Sequence, residues 1–314
     1  MTFDSVAIWL ISGASLLLAL FIFSQNPNRL VNQMMACLSL SVAVWTFGQA
    51  MGEVAGDKTA VLFWTRTNVG AAVLLPAFYL HFIFALLERT KKEKLTLTST
   101  YSLAAIFLLL LFTPLFVRDV APFAAYRYYP QAGIVYPFFA AYLSVVFLYA
   151  FWQLFRGYRR AAAERKNQLL YVTLASLIGF GGGVTAFLPV WGIDFPILSN
   201  YALPAYLIIT IYAIVKHHLL DISIVIREGL IYSVLTLIFT GFYALAILAA
   251  NYLFWSVGHV HPFWTALIVV FISVLFFQPL KDRVQAVIDR LFFRGEYRYR
   301  QAIDRLSAEN QKLF

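Results

Sequence analysis

Apolar residues in this chain come in long runs, separated by short polar stretches that carry most of the charge. A helix needs about 20 mostly apolar residues to cross a bilayer. Nine runs approach or reach that length: 5–24, 30–52, 60–87, 100–117, 136–156, 168–190, 198–216, 229–256 and 263–280, with the fourth and ninth the shortest. The pattern predicts an all-α, polytopic transmembrane helical bundle of about nine spans. No basic residue precedes the first run, as a secretory signal would require, so it reads as a retained transmembrane helix. The largest connection on the lysine-poor side, 118–135, is aromatic and contains two prolines, but it is too short to form a domain.

Past the ninth run the period changes. Leu280, Val284, Val287, Ile288, Leu291 and Phe292 recur at helical spacing between charged residues, which predicts an amphipathic helix. Arg294, Arg298 and Arg300 add a basic belt suited to anionic headgroups, and Gly295 marks a break. Tyr299, Ile303, Leu306, Asn310 and Leu313 then follow 4-3-4-3 spacing. That is the seam of a short coiled coil, with Asn310 at an a-type position that favours a parallel homodimer in one register. A single amphipathic helix packed on another domain is the alternative reading.

Composition agrees with the run pattern: 61% of the 314 residues are hydrophobic and only 12% are charged, against about half and a quarter in soluble domains. The net charge of +9 would point to nucleic acid in a soluble chain. Here the basic residues sit in short loops, so topology and membrane lipids account for them, and no nucleic-acid partner is expected. Arg29, Arg89, Lys91, Lys92, Lys94, Arg156, Arg159, Arg160, Arg165, Lys166, Lys216 and Arg227 fall on one side; Lys58, Arg118 and Arg127 fall on the other. The positive-inside rule makes the first side cytoplasmic, with the N-terminus outside and the C-terminus inside. A multi-pass position in a plasma membrane is the expected location.

Chemistry-bearing motifs are sparse. The single cysteine, Cys37, allows no intramolecular disulfide and no cysteine-based metal site. HExxH, P-loop and nucleophile-elbow patterns are lacking, no cofactor is expected, and no matching pair of interrupted helices suggests a transporter site. His81 has no second mid-membrane histidine to share a haem, so it reads as a hydrogen-bonded packing histidine or as a switch. Lys216 lies at a membrane edge, which does not suit a retinal Schiff base. The cluster Gly179, Gly181, Gly182 and Gly183 lies mid-span, where small residues serve close helix packing and bending, or line a ligand cavity.

Intramembrane polar residues are costly and so draw functional readings. Arg66 lies about eight residues into the third run, roughly 12 Å deep at helical rise. It either snorkels or pairs structurally, or it meets a polar or anionic ligand. Trp45, Gln49, Trp64 and Asn68 lie at comparable depth, and Asp194, Asn200 and Tyr201 lie near the start of the seventh run. Arg66 and Asn68 are two positions apart and do not share a helix face, so only part of this set can line one cavity. Asp194 is a candidate partner for Arg66. These eight residues form the candidate ligand site, between the second, third, sixth and seventh runs.

Three segments carry a family resemblance: WTRTNVGAAVLLPAFYLHFIFALLE, RKNQLLYVTLASLIGFGGGVTAFLPVWGIDFP and YLIITIYAIVKHHLLDISIVIREGLIY. With FFQPLKDRVQAVIDRLFFRGEYRY further on, they resemble the N-terminal seven-helix sensor region of bacterial histidine kinases. The resemblance implies a signal-input module of a two-component system, detecting a small or hydrophobic signal or a membrane state. It implies domains at 1–216 (sensor), 217–228 (cytoplasmic junction), 229–280 (two-helix extension) and 281–314 (signalling helix), with Asp221, Arg227 and Asn310 as relay positions. The chain itself has no phosphoacceptor histidine box, asparagine box or glycine-rich ATP lid, so the partner is a cytoplasmic kinase or other output domain expected outside it. An input module for another output enzyme, such as a cyclic-dinucleotide cyclase, and a small-molecule transporter are the competing readings.

Overall fold

The structure is a computed structural model, and it describes residues 3–124, 126–217, 219–220 and 277–287. The chain divides into two units, 1–220 and 221–314. The first unit holds seven α-helices: α1 (Phe3–Gln25), α2 (Leu30–Val54), α3 (Lys58–Leu86), α4 (Lys94–Leu110), α5 (Tyr136–Arg160), α6 (Ala163–Thr185) and α7 (Ser199–His217). Five are long and apolar enough to cross a membrane, and α4 and α7 are shorter apolar helices. They correspond to the first seven runs. The eighth run, most of the ninth, and the relay positions Asp221, Arg227 and Asn310 lie outside the described residues, as does the seam from Tyr299 onward. Residues 277–287 are one continuous helix.

Helix α3 is the hub. It packs on α2, α4 and α5, while α1 touches α2 and α7 and thereby closes the bundle. Tyr79, Phe82, Ile83 and Phe84 of α3 are essentially inaccessible. Phe180 of α6 stacks on Phe147 of α5 with ring centroids 3.8 Å apart, and Tyr79 meets Phe180 edge-on at 4.6 Å. Apolar residues on the outer faces, such as Leu10, Leu17, Leu109 and Leu148, are exposed and suit lipid contact. Lipid is as apolar as these side chains, so helices in it are held by close packing and hydrogen bonds. Gly182 provides the closest approach: a Cβ there would overlap the Cβ of Ala202 in α7. Gly179 lies against the Tyr206 ring, and Gly48 of α2 lies against Asn68 of α3, where a Cβ would sit 2.9 Å from the Asn68 nitrogen. Gly181 faces open space, so the glycine cluster serves packing at some positions only. Pro76 and Pro204 lie inside α3 and α7.

Polar groups secure the helix ends. Asp57 caps α3, its Oδ1 accepting from the Ala60 N–H at 2.9 Å. At the other end Glu88 takes a left-handed φ of 58°, and Arg89 N donates back to Phe84 O at 2.8 Å. This is a Schellman ending with glutamate where glycine is usual. Arg165 of α6 reaches the same end, donating to the Leu86 carbonyl at 2.6 Å and pairing with Glu88 at 3.2 Å. Arg89 donates to Gln153 Oε1 at 2.8 Å, and Gln153 donates to Tyr149. The third, fifth and sixth helices are thus latched together at their basic end.

The segment expected as a plain loop, 118–135, instead contains an antiparallel hairpin of β1 (Val117–Phe123) and β2 (Tyr126–Ala132). The bundle is therefore all-α apart from this element. Pro122 and Pro130 are tolerated because a two-stranded ribbon consists of edges only. Ladder irregularities between Val117 and Asp119 and between Ala121 and Phe123 shift the register. Val117 and Val120 are consequently both buried although they are three positions apart. The fourth run is also displaced: α4 begins at Lys94 rather than 100 and ends at Leu110, because the chain turns over 111–116 to enter β1.

Candidate functional site

A cavity of about 480 Å³ lies at the hairpin end, lined by α2, α3, the start of α7, strand β2 and the segment that follows α6. Gln49 comes from α2, Asn68 from α3 and Asn200 from the first turn of α7, and strand β2 covers one side with Arg127, Tyr128 and Tyr129. These three amides are half-buried, whereas Glu53 and Arg127 on the cavity wall are exposed. Asn68 is fixed by its Nδ2, which donates to the Trp45 carbonyl at 2.7 Å. That bond uses one amide hydrogen and leaves the oxygen and the second hydrogen available to another partner.

Of the eight candidate site residues, Trp45, Gln49, Asn68 and Asn200 line this cavity. The other four do not. Arg66 is turned toward the hairpin, and its Nη2 donates to the Val117 carbonyl at 3.2 Å. Its Nε is buried with no hydrogen-bond partner among the described residues. Asp194 is exposed and forms no ion pair with Arg66 among the described residues; the carbonyl of the folded-back strand serves Arg66 instead. Trp64 joins an edge-to-face aromatic series with Phe47 and Trp9, and Tyr201 is 63% exposed. His81 Nδ1 is hydrogen-bonded to the Tyr101 hydroxyl at 3.0 Å, as a packing histidine would be.

The hairpin wall is tied down at three points. Arg66 holds Val117, Lys58 meets Asp119 at 2.6 Å, and the Tyr129 hydroxyl donates to the Ala186 carbonyl at the end of α6. The Lys58 hydrogen bond, aided by the Val120 N–H, holds the Asp119 carboxyl below the usual carboxylate range. No group of three or more His, Cys, Asp or Glu positioned for a metal exists among the described residues. The cavity wall combines hydrogen-bonding and aromatic groups. Its β2 residues escaped sequence reasoning, and the only signal for them was the density of tyrosines in 126–129.

The described unit is thus a seven-helix bundle with a cavity at its hairpin end and a basic latch at the other. The chain belongs to the family described as the N-terminal 7TM region of histidine kinase, whose model matches residues 7–223. It is a histidine-kinase membrane sensor region. No curated protein and no solved structure matches the chain.

Proposed function

We propose that this region detects a small ligand in the cavity at the hairpin end and passes the change to a cytoplasmic histidine-kinase output domain. The observation that carries the reading is the cavity itself: about 480 Å³ lined by three amides from three different helices. That volume lies within the range of small-molecule sites. A ligand bridging Gln49, Asn68 and Asn200 would favour one spacing of α2, α3 and α7, and it acts only through a difference in affinity between two such states. The hairpin end faces outward and the latch end inward, supported by the concentration of Arg89, Arg156, Arg159, Arg160 and Arg165 at the latch. A bacterial inner membrane and a homodimer joined through the C-terminal helix complete the proposal. The cavity residues Trp45, Gln49, Asn68 and Asn200 are the sensing set, while Arg66 serves by holding the roof.

A thermal-shift screen of small polar and amphipathic compounds, with the chain in lipid nanodiscs, tests the reading. A ligand at 100 times its Kd stabilises its site by about 2.7 kcal/mol. Hits whose shift disappears in Gln49→Leu and Asn200→Leu support it. A hit set indifferent to both substitutions refutes it.

A further inference from the structure

Trp45 and Phe187 line the amide cavity, and they also line a second cavity of about 40 Å³ that lies deeper between the helices. Its remaining walls are almost entirely carbon, including Leu38, Val42, Leu75, Gly183 and Leu203. An enclosure without polar partners does not hold water well. Three helices repeat one gradient. On α2, a single stripe reads Gln49, Trp45, Val42, Leu38 going inward, about 16 Å at 1.5 Å per residue. Just past the end of α6, Ala186 and Phe187 lead down to Gly183 and Gly179 within it; on α7, Asn200 leads to Leu203.

We infer that the two cavities are one site for an amphipathic small molecule, with its head among the amides and its tail passing Trp45 and Phe187 into the apolar chamber. This rests on the ligand-sensing reading above and adds the chemical class. The head is uncharged and both donates and accepts hydrogen bonds. The half-buried polar groups are neutral, the three amides together with the hydroxyls of Thr65, Tyr128 and Tyr129, while the charged Glu53 and Arg127 are exposed, and an unpaired charge among such groups is poorly solvated. The tail is short. The chamber is about 40 Å³ against about 480 Å³ for the amide cavity. Gly183 sets the chamber's size from one side: a Cβ there would meet Trp45 Cη2 at 3.8 Å, an ordinary contact, so a methyl group fits without displacing the helix.

Primary alkanamides from acetamide to octanamide, followed by saturation-transfer NMR on the whole chain in nanodiscs with the empty-nanodisc signal subtracted, test the inference. The expected signal peaks at short-tailed amides, moves to shorter chains in Gly183→Ala, and moves to longer chains in Leu38→Ala. The two shifts run in opposite directions, so loss of folding cannot mimic them. Gln49→Leu lowers the signal at every length. A signal that depends on Gln49 but not on chain length, or that follows lipid partitioning, overturns the two-chamber site while leaving the amide-cavity reading intact. Signals unchanged in both Gln49→Leu and Asn200→Leu overturn that reading and this inference with it.

Discussion

Arg66→Met should loosen the hairpin roof without unfolding the bundle. Methionine keeps most of the apolar stem and removes the guanidinium that donates to Val117 O at 3.2 Å. Val117 is fully buried, so its carbonyl loses a partner that water does not readily replace. Hydrogen bonds from charged donors contribute about 1.5–3 kcal/mol. The 3.2 Å length and the unpartnered Nε argue for the lower end, about 1.5 kcal/mol, which is roughly a tenfold rise in local opening. Lys58→Ala breaks an exposed pair and should raise opening less than about twofold. Hydrogen–deuterium exchange of the 117–132 peptide in nanodiscs reads this directly, and it separates local opening from any gain made by removing a charge from the membrane. The same assay carries a pH arm. The Asp119 pKa is depressed in the fold, so its contribution is complete above the ordinary aspartate value near 3.9 and is lost as pH falls through the lower folded value. Exchange corrected for its intrinsic rate should therefore stay flat from about pH 8 to 5. The reasoning fails if Arg66→Met leaves exchange within twofold of wild type, if Lys58→Ala has the larger effect, or if protection titrates near neutrality.

Two further substitutions probe the packing and the latch. Gly182→Ala should destabilise the bundle by about 1–3 kcal/mol, because its Cβ would overlap that of Ala202. Gly181→Ala, whose Cβ meets nothing, should be neutral or stabilising by up to about 1 kcal/mol. Unfolding in SDS against a mixed-micelle baseline compares them, and equal effects would discount close α6–α7 packing. Arg165→Ala removes the charged donor to Leu86 O at 2.6 Å and should cost about 1–2 kcal/mol. Glu88→Gln should cost under about 0.5 kcal/mol, since that carboxylate is largely in solvent. A reversed order would show that the ion pair, rather than the helix cap, holds the latch.

The helices were legible because span length and the cost of exposed backbone in lipid leave few alternatives. The hairpin was hidden for a specific reason. Its inward residues Val117 and Val120 are three apart, the spacing of a helix face rather than of a strand, because a ladder irregularity separates them. The α4 start at Lys94 was missed in the same region, where hydropathy rises only after the threonines and serines at 96–100. Within the candidate site, depth was readable and rotation was not. Gln49, Asn68 and Asn200 reach the cavity, while Arg66, at similar depth on α3, points elsewhere. Two positions along a helix turn a side chain through roughly 200°, and sequence does not say which direction faces the cavity. Asp194 fails for another reason: its strand-side competitor, the Val117 carbonyl, belongs to an element the pattern did not reveal.

Pro204 has a consequence for how the amide wall can be dissected. It stands four residues after Asn200 within α7, and proline has no N–H to return to that carbonyl. The main-chain oxygen of residue 200 is thus released from the helical ladder at the position whose side chain borders the cavity. Replacing Asn200 removes its carbamoyl group but leaves this oxygen untouched. Side-chain scanning will therefore understate what the position offers a ligand, and the hidden share is under the control of a residue one turn away.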